Sequence, residues 1–256
     1  MNFIYKEEIV NYDYFRNNNK ETVVFLHGWG AHIGLYQPIF DLLQQLQYRV
    51  VAFDMPGVGQ TDEPAAPLTI DDYVSFTLEL CRKLELEEVI LMCHSHGGRI
   101  ALRLLTDENC PLKCKKAVFF DATGVRKAPT SAQKFKQTGY KAVKWLGTSR
   151  LTAPLFGDLY AEMRDKRASA DYKAATPVMR QTMNNVLPLD YTDRMPRITA
   201  EVLLIWGEND TATPLEHGQI MEKLIPNSGL AVIRGAGHMS YVDNWPQFSA
   251  VLRAFL

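Results

Sequence analysis

Four short segments carry side chains able to do chemistry: His27-Gly28-Trp29-Gly30, Cys93-His94-Ser95-His96-Gly97-Gly98, Asp210, and Gly235-Ala236-Gly237-His238-Met239. Each follows an apolar run that reads as a strand, and in an open parallel sheet the carboxyl ends of the strands line one edge, where residues far apart in sequence converge. A serine hydroxyl attacks poorly unless a base takes its proton, and a sharp strand-to-helix turn presents it clear of the backbone. Ser95 has that setting, between a strand ending at Met92 and the small-residue start of a helix, where Gly97 and Gly98 permit close approach. Imidazole suits the task of taking and returning a proton near neutral pH. Among the six histidines, His238 is selected by chain order, nucleophile then acid then base, each at a strand end. Asp210 is the acid expected to hold the base in one tautomer and to stabilise its cation. Glu208 and Asp121, the latter at the end of the preceding sheet strand, are its rivals. The backbone N–H groups of Trp29 and His96 are placed to receive negative charge on a carbonyl oxygen, each such donor being worth about 3 kcal/mol. Their side chains are then left to line a pocket.

The elements that must position these groups follow from hydrophobic spacing. Short apolar runs at 4–14, 22–27, 48–53, 88–92, 116–120, 201–206 and 229–233 read as strands, with a polar turn at Asn17, Asn18, Asn19 and Lys20 after the first. Helical spacing appears at 35–46, 70–84, 97–105, 215–224 and 245–255. Continuous apolar strands separated by helices imply an α/β chain with a mostly parallel sheet covered on both faces, antiparallel only at its N-terminal edge. The rhythm breaks over 125–194, which holds helical stretches at 131–146, 155–166 and 172–185 and no strand-like run. That length is too great for a plain loop and indicates a helical insert between two sheet strands. Lysines and arginines outnumber acids in the insert, which reads as a solvated helical surface.

Other signals exclude more than they assign. A formal net charge of -1 leaves no overall field for nucleic acid or an anionic membrane. The N-terminal stretch carries Glu7 and Glu8 and is neither a basic leader nor a spanning helix, so a cytoplasmic protein is expected. The C-x3-C pair of Cys110 and Cys114 lacks a second ligand pair, and no metal or cofactor is expected. The loop Asp54-Met55-Pro56-Gly57-Val58-Gly59-Gln60-Thr61 lacks the Gly-Lys-Ser/Thr ending of a phosphate loop and reads as a support for the site.

The HGWG, DMPGVGQTD, CHSHGG, WGENDTATP and GAGHM segments, in that order, resemble the α/β-hydrolase superfamily in its small cytosolic branch of carboxylesterases, proline iminopeptidase-like enzymes and carbon–carbon hydrolases. The resemblance covers essentially the whole chain. It implies a three-layer α/β/α sandwich on an eight-stranded sheet, with residues 1–124 and 195–256 as the core and 125–194 as a helical cap between the sixth and seventh strands. It departs at Cys93, which stands where the family usually has the first glycine of Gly-x-Ser-x-Gly; cysteine is small enough for the turn to survive. Serine rather than aspartate at position 95 points away from dehalogenase and epoxide-hydrolase chemistry. The implied reaction is hydrolysis of a small or medium ester or thioester through an acyl-serine, with amide, peptide or carbon–carbon cleavage as the alternative and a non-catalytic receptor behind both. The partner is a small acyl molecule, and monomer or homodimer is left open. Trp145, Leu146, Leu155, Phe156, Tyr160, Met179 and Met183 of the cap are the candidate pocket wall.

Overall fold

A computed structural model describes residues 1–5, 8–15, 21–126, 131–150, 152–167 and 170–256. Eight strands form one sheet: β1 Asn2–Tyr5, β2 Glu8–Phe15, β3 Thr22–Leu26, β4 Arg49–Phe53, β5 Glu88–His94, β6 Lys113–Phe120, β7 Glu201–Gly207 and β8 Ser228–Ile233. Their spatial order is β1-β2-β4-β3-β5-β6-β7-β8. Only β1 with β2, and β2 with β4, run antiparallel; every pair from β4 onward is parallel. The run 4–14, read above as one strand, is a hairpin in which Ile4 faces Ile9. Alternating polarity gives the same period on either arm of a hairpin, so the pattern alone does not reveal the reversal. The turn expected at 17–20 lies outside the described residues.

The parallel strands are apolar on both faces because both faces are covered. All five residues of β3 are buried, and they alternate sides: Val23 and Phe25 join a core with α1 (Gln37–Gln45) and α10 (Trp245–Phe255), whereas Val24 and Leu26 join α2 (Ile70–Lys83), α3 (Gly97–Leu105) and α8 (Leu215–Leu224). The result is a three-layer α/β/α sandwich. Local signals start its helices. Thr69 and Asp72 cap α2 reciprocally, with acids in its first turn and Arg82 and Lys83 in its last.

Among the described residues four α-helices fall between β6 and β7: α4 Ser131–Thr148, α5 Ala153–Arg167, α6 Ala170–Ala174 and α7 Pro177–Val186. They form the inserted helical cap. The stretch 172–185, read as one helix, is broken between α6 and α7. Pro177 disfavours helical geometry in the residue before it, and Thr176 instead caps α7 by accepting the Met179 N–H at 3.2 Å. The chain leaves the core and returns to it at one point, where the Tyr191 N–H donates to Gly124 O at 2.9 Å. Among the described residues no helix is long and apolar enough to cross a membrane.

The start of α3 is pressed against the sheet. A Cβ on Gly97 would lie 2.1 Å from Leu26 O at the end of β3, and one on Gly98 would lie 2.6 Å from Thr123 O. Gly97→Ala is expected to cost about 3 kcal/mol in urea unfolding, the upper range for overpacking, because the obstacle is backbone. Gly139→Ala, on an exposed face of α4 where an added methyl meets nothing, is the control and should be neutral or gain up to about 1 kcal/mol.

Candidate active site

The site assembles at the carboxyl edge of the sheet from four loops. Ser95 follows β5 directly and sits at φ +47°, in the left-handed region that a side chain rarely adopts. Its carbonyl oxygen holds that turn by accepting from Gly98 N at 3.0 Å, Thr123 N at 2.9 Å and Thr123 Oγ1 at 2.8 Å. The strained turn brings the hydroxyl within reach of the His238 ring. Ser95 Oγ lies 3.0 Å from His238 Nε2, and His238 Nδ1 lies 2.8 Å from Asp210 Oδ2. With Nδ1–H donating to the carboxylate, Nε2 is bare and accepts from the serine hydroxyl.

Asp210 is fixed by its own turn. Its Oδ1 accepts from Ala212 N at 2.8 Å and Thr213 N at 2.9 Å, and its Oδ2 lies 2.6 Å from Thr213 Oγ1. The carboxylate side chain is fully buried and that of His238 is 28% exposed. Burial by itself would raise the Asp210 pKa, but hydrogen bonds from His238 and Thr213 outweigh it and hold the pKa below the ordinary carboxylate value. Burial would likewise lower His238; its hydrogen bond to Asp210 and the charges of Asp210 and Asp121 outweigh that, and its pKa is raised above 6.5.

Both rivals of Asp210 serve other groups. Glu208 Oε2 accepts from Gly235 N at 2.9 Å. Asp121, itself at φ +47°, accepts from Gly207 N at 2.8 Å through Oδ1 and from Ser240 N at 3.0 Å through Oδ2. Gly207 leads into the Asp210 loop and Ser240 follows His238, so this one buried carboxyl ties the acid loop to the base loop. Burial pushes its pKa up to about 7. The two loops also touch directly, since a Cβ on Gly207 would fall 2.1 Å from Gly237 O.

The loop after β3 also packs against the serine. An added Cβ on Gly28 would sit 3.2 Å from Ser95 Cβ. His27, buried and with its pKa lowered to about 4 by that burial, accepts the Met55 N–H at Nε2 (2.8 Å) and so donates from Nδ1 to Gly28 O (2.7 Å). In a trans peptide the N–H points opposite to the C=O. His27 therefore aims the Trp29 N–H by holding the other end of the same peptide. No backbone donation from Trp29 N or His96 N to another described residue occurs. The His96 ring is 3% exposed, lies edge-on to Trp29 and Tyr73 at 5.4 and 5.2 Å, and is held neutral by burial, which lowers its pKa to about 3.

The cap residues separate into groups. Trp145 and Leu155 are 68% and 80% exposed. Leu146, Phe156 and Tyr160 are half-buried, and the last two pack where α5 crosses Gly147 of α4. Met179 and Met183 of α7 are buried, and Met179 presses on Gly57, where a Cβ would meet its sulfur at 2.7 Å. α7 thus rests on the loop that precedes α2. Among the described residues no group of three or more His, Cys, Asp or Glu is placed to hold a metal ion; Cys93 is fully buried, with its thiol pKa pushed up by that burial.

Thr213 and Tyr36 belong to this constellation although sequence reasoning gave them no part, and His94, which lies in the nucleophile segment, was given no role of its own. An aspartate three residues before a threonine is a legible local turn signal, Asp210-Thr211-Ala212-Thr213. Tyr36 carries no such signal, and the place of His94 beside the nucleophile does not reveal its partners.

The family profile described as the alpha/beta hydrolase fold matches residues 21–244. An uncharacterized hydrolase of Bacillus subtilis, YugF, is 24% identical over 246 residues, covering 90% of this chain and 88% of its own length. A pimeloyl-[acyl-carrier protein] methyl ester esterase of Legionella pneumophila is 23% identical over 249 residues, covering 91% and 94%. Among solved structures, a hydrolase from Pseudomonas aeruginosa superposes with a TM-score of 0.74 at 19% identity, covering 100% of this chain and 97% of that one.

Proposed function

Since the chain belongs to the alpha/beta hydrolase fold family, we propose that it is a serine hydrolase in which Ser95 is the nucleophile, His238 the base and Asp210 the acid behind it, cleaving a small or medium carboxylic ester or thioester. The observation that carries the reading is the unbroken line from Ser95 Oγ to His238 Nε2 at 3.0 Å and from His238 Nδ1 to Asp210 Oδ2 at 2.8 Å. Ser95 Oγ adds to the acyl carbon as His238 Nε2 takes its proton. The carbonyl oxygen becomes an oxyanion that accepts from the Trp29 and His96 N–H groups. Collapse expels the alcohol or thiol, which takes the proton from His238. A water then gives its proton to Nε2, attacks the acyl carbon, and the second collapse returns the proton to Ser95 and frees the acid. Asp210 stays ionised throughout, and its lowered pKa is consistent with that role.

On this reading residues 1–124 and 195–256 are the catalytic core and 125–194 the cap that sets substrate size, with the half-buried Leu146, Phe156 and Tyr160 as its contribution to the acyl pocket. A carboxylic ester as substrate also agrees with the Legionella relative, whose name describes a methyl ester esterase. The test is hydrolysis of para-nitrophenyl esters from acetate to octanoate together with labelling by a fluorophosphonate. The expected result is turnover highest on the short chains and a single adduct, located at Ser95 by peptide mass mapping. An adduct at another residue, or no turnover at any length, would remove the ester reading.

A further inference from the structure

His94, the residue before the nucleophile, is almost fully buried, and both of its ring nitrogens are engaged. Nε2 lies 2.9 Å from His238 O and Nδ1 lies 2.8 Å from Tyr36 Oη, while Tyr36 Oη accepts from Gly28 N at 3.2 Å. A carbonyl oxygen only accepts, so the hydrogen between His94 and His238 belongs to Nε2. Burial lowers the His94 pKa to about 3, and a neutral ring has one N–H. Nδ1 is therefore bare and accepts from the tyrosine hydroxyl. Every donor in the chain now points one way: Gly28 N–H to Tyr36 Oη, Tyr36 O–H to His94 Nδ1, His94 Nε2–H to the His238 carbonyl.

The two ends of this chain are the two loops that flank Ser95. Gly28 precedes Trp29, the proposed oxyanion donor, and the His238 carbonyl belongs to the proposed base. The strand that carries His94 is a stiff element to join them, because β5 is paired with β3 and β6 on its two sides. The ring is held flat against Phe120, centroids 4.8 Å apart and 24° between planes, and lies 5.0 Å from the His238 ring. Tyr36 in turn stacks on Tyr241 at 5.4 Å, in the short helix α9 (Ser240–Asp243) that follows the base. We propose that His94 is a positioning residue that sets the distance between base and oxyanion donor through Tyr36 on one side and the His238 carbonyl on the other. This rests on the reading of His238 and Trp29 given above. A ring that merely filled the core would need no polar atoms, and phenylalanine would serve equally well.

That difference makes the proposal testable. His94→Phe keeps the stack on Phe120 and removes both hydrogen bonds. It is expected to lower kcat about 10- to 100-fold, the effect of roughly an ångström of misplacement, with KM within about threefold of wild type. His94→Gln, which retains one donor and one acceptor, should recover part of that loss and is the second variant if the phenylalanine form folds poorly. Because Tyr36 reaches the His238 carbonyl only through the His94 ring, the double variant Tyr36→Phe/His94→Phe should lose clearly less than the product of the two single losses. Nitrogen NMR of the His94 ring in the unmodified, full-length protein should show hydrogen on Nε2 and a bare Nδ1. His94→Phe with wild-type kcat on esters that the parent hydrolyses, or additive losses in the double variant, would overturn the proposal and leave the serine hydrolase standing. Hydrogen on Nδ1 would overturn it whether or not any ester is turned over, while a parent protein inert to every ester and to fluorophosphonate would condemn the catalytic reading separately.

Discussion

Ser95→Ala lowers kcat on any ester substrate by about 10⁶-fold and leaves the fold intact. The size of the loss follows from the way a nucleophile and its base act as one unit, so that removing either costs nearly as much as removing both. What survives, roughly 10³-fold over water, comes from binding and from the oxyanion donors. The backbone at Ser95 adds a second expectation that separates chemistry from stability. At φ +47° the residue holds strain, of order 1 kcal/mol for a side chain in the left-handed region. Glycine adopts that region freely. Ser95→Gly should therefore be as inactive as Ser95→Ala yet unfold at higher urea, by about 1 kcal/mol, less whatever the loss of the Ser95 Oγ to His238 bond costs. Steady-state hydrolysis and urea unfolding of the three proteins side by side decide both points. An alanine variant keeping even a hundredth of the parent rate would mean that Ser95 is not the nucleophile.

The positions of Ser95, Asp210 and His238 were readable because each obeys a local rule: an apolar run ends and a reactive side chain appears just past the strand's carboxyl end. The parallel sheet places those ends on one edge, so three local signals become one site. Their mutual distances were not readable, since these depend on struts that connect loops distant in sequence. Asp121 illustrates the point. As a residue at a strand end it was a fair rival for the acid, and only the structure shows both of its oxygens on the backbone N–H groups of Gly207 and Ser240. His94 and Tyr36, 58 residues apart, likewise meet through tertiary packing alone. The N-terminal hairpin escaped for a different reason. A period of two reports a strand without its direction, and no Gly or Pro marks a reversal within residues 1–15. The break at Thr176-Pro177 was legible, a cap followed by proline, and was masked by apolar spacing that runs on across it.

Asp210 and Asp121 also supply the sharpest comparison among the carboxyl groups, because burial raises the pKa of both and only Asp210 has partners that outweigh it. Asp121 is raised to about 7, whereas Asp210 is held below the ordinary value by His238 and Thr213. Asp210→Asn is expected to lower kcat about 10⁴-fold. An amide N–H facing Nδ1 favours the tautomer with hydrogen on Nε2, and a base already carrying that hydrogen is unable to take one from Ser95. The pH dependence should move in a definite direction. His238 must be neutral to act, so kcat/KM falls as pH drops through its pKa, which Asp210 raises above 6.5. Without the carboxylate, the acid limb of the residual activity shifts to lower pH. Stability follows the same linkage. A raised histidine pKa contributes stability that is fully present below about pH 6.5 and is lost as pH rises through the folded value. A lowered carboxylate contributes stability above about pH 3.9 that is lost as pH falls through its own folded value. Asp210→Asn removes both contributions, so it should lose most stability, relative to the parent, between those limits. Asp121→Asn keeps one oxygen acceptor and sets an amide N–H against a backbone N–H, so it should loosen the two loops, lower kcat far less than Asp210→Asn, and move the acid limb to lower pH by less than Asp210→Asn does, since its charge is the smaller contribution to the raised His238 pKa. If instead Asp121→Asn proved the more damaging to kcat and displaced the acid limb further than Asp210→Asn, the proton on His238 would be governed from the end of β6, and the assignment of the two carboxyl groups would have to be exchanged.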